Sequence, residues 1–187
     1  SAARSPRCQA LSSSVTFTLV SAALSACATQ PAMLNSERIE QRYGSYGVTV
    51  LSQDSGVRRS NLHSIEKSGP VCRTYAVVLY SESFTEEIQS IHKSMLSGAS
   101  IGSTFQENGW SIEKQTTHIG SIELQDPGHP LAALMKLDSP TALSSQSYNL
   151  LVSKGDVVHR YATIIETHHP DYLTADDLRE IYGQPDR

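Results

Sequence analysis

Glu166-Thr-His168-His169-Pro-Asp171 is the densest run of side chains in this 187-residue chain that can ligate a metal or move a proton. A carboxylate beside two imidazoles suits a zinc-type site or a general acid–base pair. A metal site, however, needs ligands that converge from several elements. Adjacent residues of an extended segment point to opposite faces, so His168 and His169 do not chelate one ion if they lie on a strand. The plainer account makes one imidazole a packed, hydrogen-bonded group and the other a solvated one. A hydrolase or metal-dependent enzyme built on Glu166, His168 and His169 stands as the alternative reading. His118, His129 and His159 join it only if the fold brings them there.

Other chemistries have weaker support. No Gly-x-Ser-x-Gly elbow occurs, so a serine nucleophile lacks its usual sequence context. Gly98-Ala-Ser-Ile-Gly102-Ser-Thr follows a helix-like segment and lacks the Gly-Lys-Ser/Thr ending of a phosphate loop; it reads as close packing or a bend. Trp110, the single tryptophan, reads as a core or rim anchor before a ligand platform. Tyr43, Tyr46, Tyr75 and Tyr80 read as sheet packing or as an aromatic face that grips a peptide or sugar. Cys72 lies in the apolar run Val71–Tyr80 and reads as a small core residue. No catalytic residue, cofactor or metal is assigned.

A different cysteine carries a stronger signal. Arg4 and Arg7 precede the apolar run Val15–Ala23, which leads into Leu24-Ser25-Ala26-Cys27. The run from Val15 to Ala28 is about 14 residues, against the roughly 20 that cross a bilayer. A basic flank, a short apolar stretch and small residues at its end favour a processed signal over a membrane span. The segment resembles a bacterial lipoprotein signal with its lipobox. The resemblance implies cleavage after residue 26 and acyl chains on Cys27, with a short tether over 27–33. Ala28, in place of Asp, implies sorting to the outer membrane, facing the periplasm.

Composition fits that topology. The chain carries 15 Lys and Arg against 19 Asp and Glu, a formal charge of −4. Loss of residues 1–26 removes Arg4 and Arg7 and no acid, which makes the remainder more acidic by two charges. Such a balance argues against nucleic-acid binding and against polybasic attraction to anionic lipid. With Cys8 gone and Cys27 acylated, Cys72 has no partner for an intramolecular disulfide.

The elements that must position any site follow from turns and periodicity. Asn35-Ser36-Glu37 opens a helix over about 36–43 that ends at Gly44. Strands are expected at 46–51, 57–65 and 71–80, with turns at 54–56 and 67–70. Phe84, Ile88, Ile91 and Met95 make one helical stripe. Residues 98–105 read as helix or loop, 110–119 as a strand that continues to 124, and 131–137 as strand or helix. Strands at 147–153 and 157–166 flank the turn 154–156, and a helix capped by Thr174 closes the chain. Hairpins without βαβ alternation predict a single α+β domain over 34–187, mainly an antiparallel sheet of hairpins with two to three helices packed on one face.

Four stretches look like a family of uncharacterised lipoproteins from Gram-negative bacteria. These are Tyr43–Gly47, Val71–Val78, Ser100–Phe105 with Gly109-Trp110, and His168–Leu173. The resemblance implies no catalytic residue. The expected role is a lipid-anchored, non-enzymatic binding or interaction domain. Its acyl chains would hold it in the membrane, and an envelope protein or cell-wall component would be its partner.

Overall fold

The computed structural model describes residues 33–54 and 56–183. The expected signal peptide, the lipid-bearing Cys27 and nearly all of the tether lie outside the described residues. From Met33 onward the chain belongs to one compact unit.

Helix α1 (Asn35–Tyr43) leads into a meander of β1 (Gly47–Asp54), β2 (Val57–Glu66) and β3 (Gly69–Tyr80). Helices α2 (Glu86–Met95) and α3 (Ile101–Glu107) follow. A second series contains β4 (Ser111–Leu124), α4 (Pro130–Met135), β5 (Thr141–Lys154), β6 (Val157–His168) and α5 (Ala175–Tyr182). The six strands form one sheet in the order β1-β2-β3-β6-β5-β4, every neighbour antiparallel. Two meanders therefore meet at the β3–β6 seam.

Register fixes what faces what, because residues paired across strands share a face. One row crosses the whole sheet through Val50, Ser60, Ala76, Glu166, Gln146 and Ile119. The next begins at Arg58 and runs through Val78, Ile164 and Tyr148. These rows lie beneath helices. Ile88, Ile91 and Met95 of α2 and Phe105 of α3 pack on Val78, Leu150, Val152 and Ile164. Ile39 of α1 and Leu178 of α5 pack with Ile119 and Tyr172. Full burial of an aliphatic side chain contributes about 1.5–3 kcal/mol, so these two clusters hold the helices down.

Among the described residues the opposite face carries one helix. A bulge in β3 pairs Cys72 with His63, one step from the helix-facing Leu62. Leu143 likewise alternates with the helix-facing Ser144. Cys72 and Leu143 pack with Leu131 and Met135 of α4, which places α4 on the other side of the sheet. The α+β class and the mainly antiparallel sheet agree with expectation. The helices differ from it: there are five among the described residues, and α4 leaves the face that the other four share. The region 98–105 holds a separate helix. The ambiguous 131–137 segment is helical because Pro130 starts it and the His129 ring accepts from the Leu131 N–H at 3.1 Å.

Candidate functional site

A cleft of about 90 Å³ lies between the helix-covered face of the sheet and the starts of α1 and α3. Its floor comes from β2, β3, β6, β5 and β4, and its roof includes Leu34, Ile101 and Gly102. Gly102 lets α3 approach this closely: a Cβ there would sit 3.0 Å from the Leu34 Cδ2. Half of the lining side chains are aliphatic, Val48, Leu62, Val78, Leu150 and Ile164 among them. Three charged groups interrupt that wall: Arg58, Lys114 and Glu166.

Glu166 stands in a set of donors. Gln146 Nε2 donates to Oε2 at 2.6 Å and the Tyr148 hydroxyl to Oε1 at 3.0 Å. Lys114 Nζ lies 3.8 Å from Oε2 and also sits over the Tyr148 ring, 4.5 Å from its centroid. Burial pushes the carboxyl pKa up. Lys114, His168 and the two hydrogen bonds outweigh it and hold the carboxyl below its ordinary value. Glu166 is thus an ionised acceptor and a weak base. Burial, with further help from the Glu166 charge, holds the Tyr148 phenol well above its usual range, so it remains a donor.

Arg58 is 2 % exposed and differs in kind. Its Nε donates to Ser60 Oγ at 2.9 Å, and its two terminal nitrogens donate to Met95 O at 3.3 Å and Ala99 O at 3.1 Å. All three acceptors are neutral, and no carboxylate lies within 4.0 Å among the described residues. Glu166 is two strands away, a separation of about 10 Å between backbones.

The sequence-derived cluster is only partly brought together. Glu166 and His168 share a face of β6, and His168 Nε2 lies 3.8 Å from Glu166 Oε2. His168 is fully buried. Its Nδ1 is 2.9 Å from Thr74 Oγ1, which also receives Asn35 Nδ2 at 3.1 Å. Burial lowers this imidazole's pKa to about 4, against the pull of Glu166. His169 points the other way: its Nε2 meets Met135 O at 3.1 Å, at the end of α4. Alternation along the chain separates the two imidazoles, as extended geometry requires. Among the described residues no group of three His, Cys, Asp or Glu side chains has metal-binding geometry.

The remaining candidates occupy packing positions. Trp110 is buried beside Phe105 and donates from Nε1 to Glu87 at 3.3 Å. Tyr43 lies against the Arg73 guanidinium, Tyr46 lines the cleft, and Tyr80 packs on His92 and Tyr161. Tyr75 belongs with α4 on the other face, so the four tyrosines make no single aromatic surface. Cys72 is buried and its thiol is pushed up to about 12 by that burial. It is an inert core group.

Asn35 or Ser36 was expected to cap α1. Instead Leu34 holds the cap position, with its N–H donating to Glu37 at 2.8 Å. The Asn35 amide bonds Thr74 and receives the Tyr172 hydroxyl at 2.5 Å, which fixes the helix start over the sheet. Arg58, Lys114 and Gln146 escaped sequence reasoning. Lys114 shares its strand face with Ile112 and Gln146 shares its with Tyr148 and Leu150, but a polar residue on such a face does not by itself mark a site, and Arg58 sits opposite the apolar Val57 and Ile65 of its own strand. Among the described residues no helix is long and apolar enough to cross a membrane. No protein-family model, curated protein or solved structure matches the chain.

Proposed function

We propose that this protein is a lipid-anchored component of the bacterial cell envelope, held in the outer membrane through acyl chains on Cys27 and facing the periplasm. Its folded domain binds a ligand and does not transform it. The cleft between the sheet and the starts of α1 and α3 is the binding site. One observation carries this reading: a cleft whose exposed wall is largely apolar, open to a ligand's apolar body, and whose one carboxylate among the described residues already accepts two hydrogen bonds and faces Lys114. A general base near neutral pH needs a raised carboxyl pKa, whereas Glu166 is held low. His168 is walled in behind it and is not among the lining residues. Those two facts weigh against the acid–base alternative at Glu166, His168 and His169.

Anchor and cleft are tested separately. Cells fed a radiolabelled or alkyne-tagged palmitate should label the wild-type protein, and Cys27→Ala should lose both label and membrane fractionation. Retention of either by the variant removes the anchor. For the cleft, 1-hexanol titrated into the full chain should shift backbone amide resonances of Ser60, Ala76 and Val78. Five or so buried methylenes at about 0.8 kcal/mol each give a millimolar dissociation constant. Ala76→Leu fills the floor and should abolish those shifts. Shifts scattered elsewhere, or unaffected by the filled cleft, remove the binding site.

A further inference from the structure

Building on that binding-site reading, we infer that the ligand is a singly charged anion with a short apolar body, a short-chain monocarboxylate, its charged end against Arg58. Lys114 and Glu166 face each other at 3.8 Å and neutralise one another. Arg58 is the third charged group of the wall, and nothing among the described residues neutralises it. The carbonyls it meets lie at and just past the C-terminal end of α2. A helix end supplies only about half an elementary charge, so a positive remainder stays inside an apolar wall. An uncompensated buried charge is costly unless it is paired.

Donor arithmetic points the same way. A guanidinium has five N–H donors, and three are engaged. Two N–H donors therefore remain on Arg58, and a carboxylate is an acceptor-only group with four lone-pair sites. The aliphatic floor of Val78, Ile164 and Leu150 continues from Arg58 across the strands, where the chain of such a ligand would lie. The 90 Å³ volume is below the ≈ 150 Å³ of a cavity that admits benzene, which selects a thin, short chain.

The test uses three probes with one carbon skeleton on the full chain: hexanoate, 1-hexanol and hexylammonium at pH 7. Amide resonances around the cleft report the affinity. Hexanoate should bind about tenfold more tightly than 1-hexanol, the value of one charge-assisted hydrogen-bonded contact, and hexylammonium most weakly. Arg58→Met should reduce the hexanoate advantage to within twofold of the alcohol. The wild-type probe order decides the matter even if that variant does not fold. Equal binding of acid and alcohol at the cleft overturns the anion inference and leaves the apolar site standing. Tightest binding of hexylammonium assigns the site to Glu166 and also overturns it. No shift at cleft amides with any probe overturns the binding site itself.

Discussion

At the residue scale the polar groups around Glu166 form a balanced set in which each member makes its neighbour tolerable. Lys114 and Glu166 are nearly buried, with side chains 15 % and 5 % exposed. Breaking a buried pair by removing one partner costs more than the pair contributes, because the other charge is left behind. Here Gln146 and Tyr148 still donate to the carboxylate when Lys114 is gone. Lys114→Met should therefore destabilise the protein by about 1–3 kcal/mol at pH 7, below the full cost of a stranded ion. Lys114→Met combined with Glu166→Gln should recover part of that loss. Urea denaturation of the two single variants and the double variant gives the coupling; strict additivity would mean that the 3.8 Å pair does not interact. Thr74 plays a comparable part on the far side. One hydroxyl serves Asn35 and His168, and so ties α1 to the β3–β6 seam.

At the scale of elements, the ends of the helices show how local chemistry holds a helix on the sheet. Thr174 caps α5: its Oγ1 accepts from the Asp177 N–H at 3.2 Å, and its own N–H donates to Asp177 Oδ2 at 2.7 Å. Leu178, one turn on, is fully buried. Thr174→Ala should cost about 1 kcal/mol, measured as a shift of the denaturation midpoint with an unchanged slope. Hydrogen exchange should quicken first within α5. An unchanged midpoint would mean that burial of Leu178 alone holds the helix. This cap was legible, and so were the α2 stripe of Ile88, Ile91 and Met95 and part of every strand, but β5 starts at Thr141 where the strand was expected from 147. Strand β2 was legible as a strand but misleading about its faces. Its apolar ends, Val57 and Ile65, suggest that the odd positions point inward. Yet Ile65 is 54 % exposed, while Arg58 is 2 % exposed. Carbonyls at the end of α2, distant in sequence, accept the Arg58 protons, and no local pattern encodes them. The cleft was illegible for the same reason. Alternation in the chain separated His168 from His169, but Lys114, Gln146 and Arg58 reach the cleft beside Glu166 only through strand order.

Across the whole molecule, the buried ionisable groups make stability depend on pH in one direction. In the folded protein burial lowers the His168 imidazole to about 4, against an ordinary value of 6.5. Between those values the unfolded chain binds a proton that the folded protein refuses, so stability falls as pH drops from about 6.5 toward 4. His92 and His169, both lowered chiefly by burial, act with the same sign. Glu166 has a folded pKa below 4.5, so its contribution is present above that range and is lost as pH falls through its folded value. Each proton of difference between the states is worth about 1.4 kcal/mol per pH unit. Urea midpoints measured from pH 7 to pH 4.5 should therefore decline steadily. His168→Gln keeps a hydrogen-bonding group beside the Thr74 hydroxyl and removes the titration. That variant should be less stable at pH 7 yet show a shallower decline, by up to one proton's slope below pH 6. Parallel curves for the two proteins would mean that His168 titrates alike in the folded and unfolded chains. The wall of polar groups between α1 and the cleft would then be wetter than its packing implies. Hexanoate binding should persist until acid unfolds the domain or protonates the ligand. Binding and stability should part company between pH 6.5 and 5.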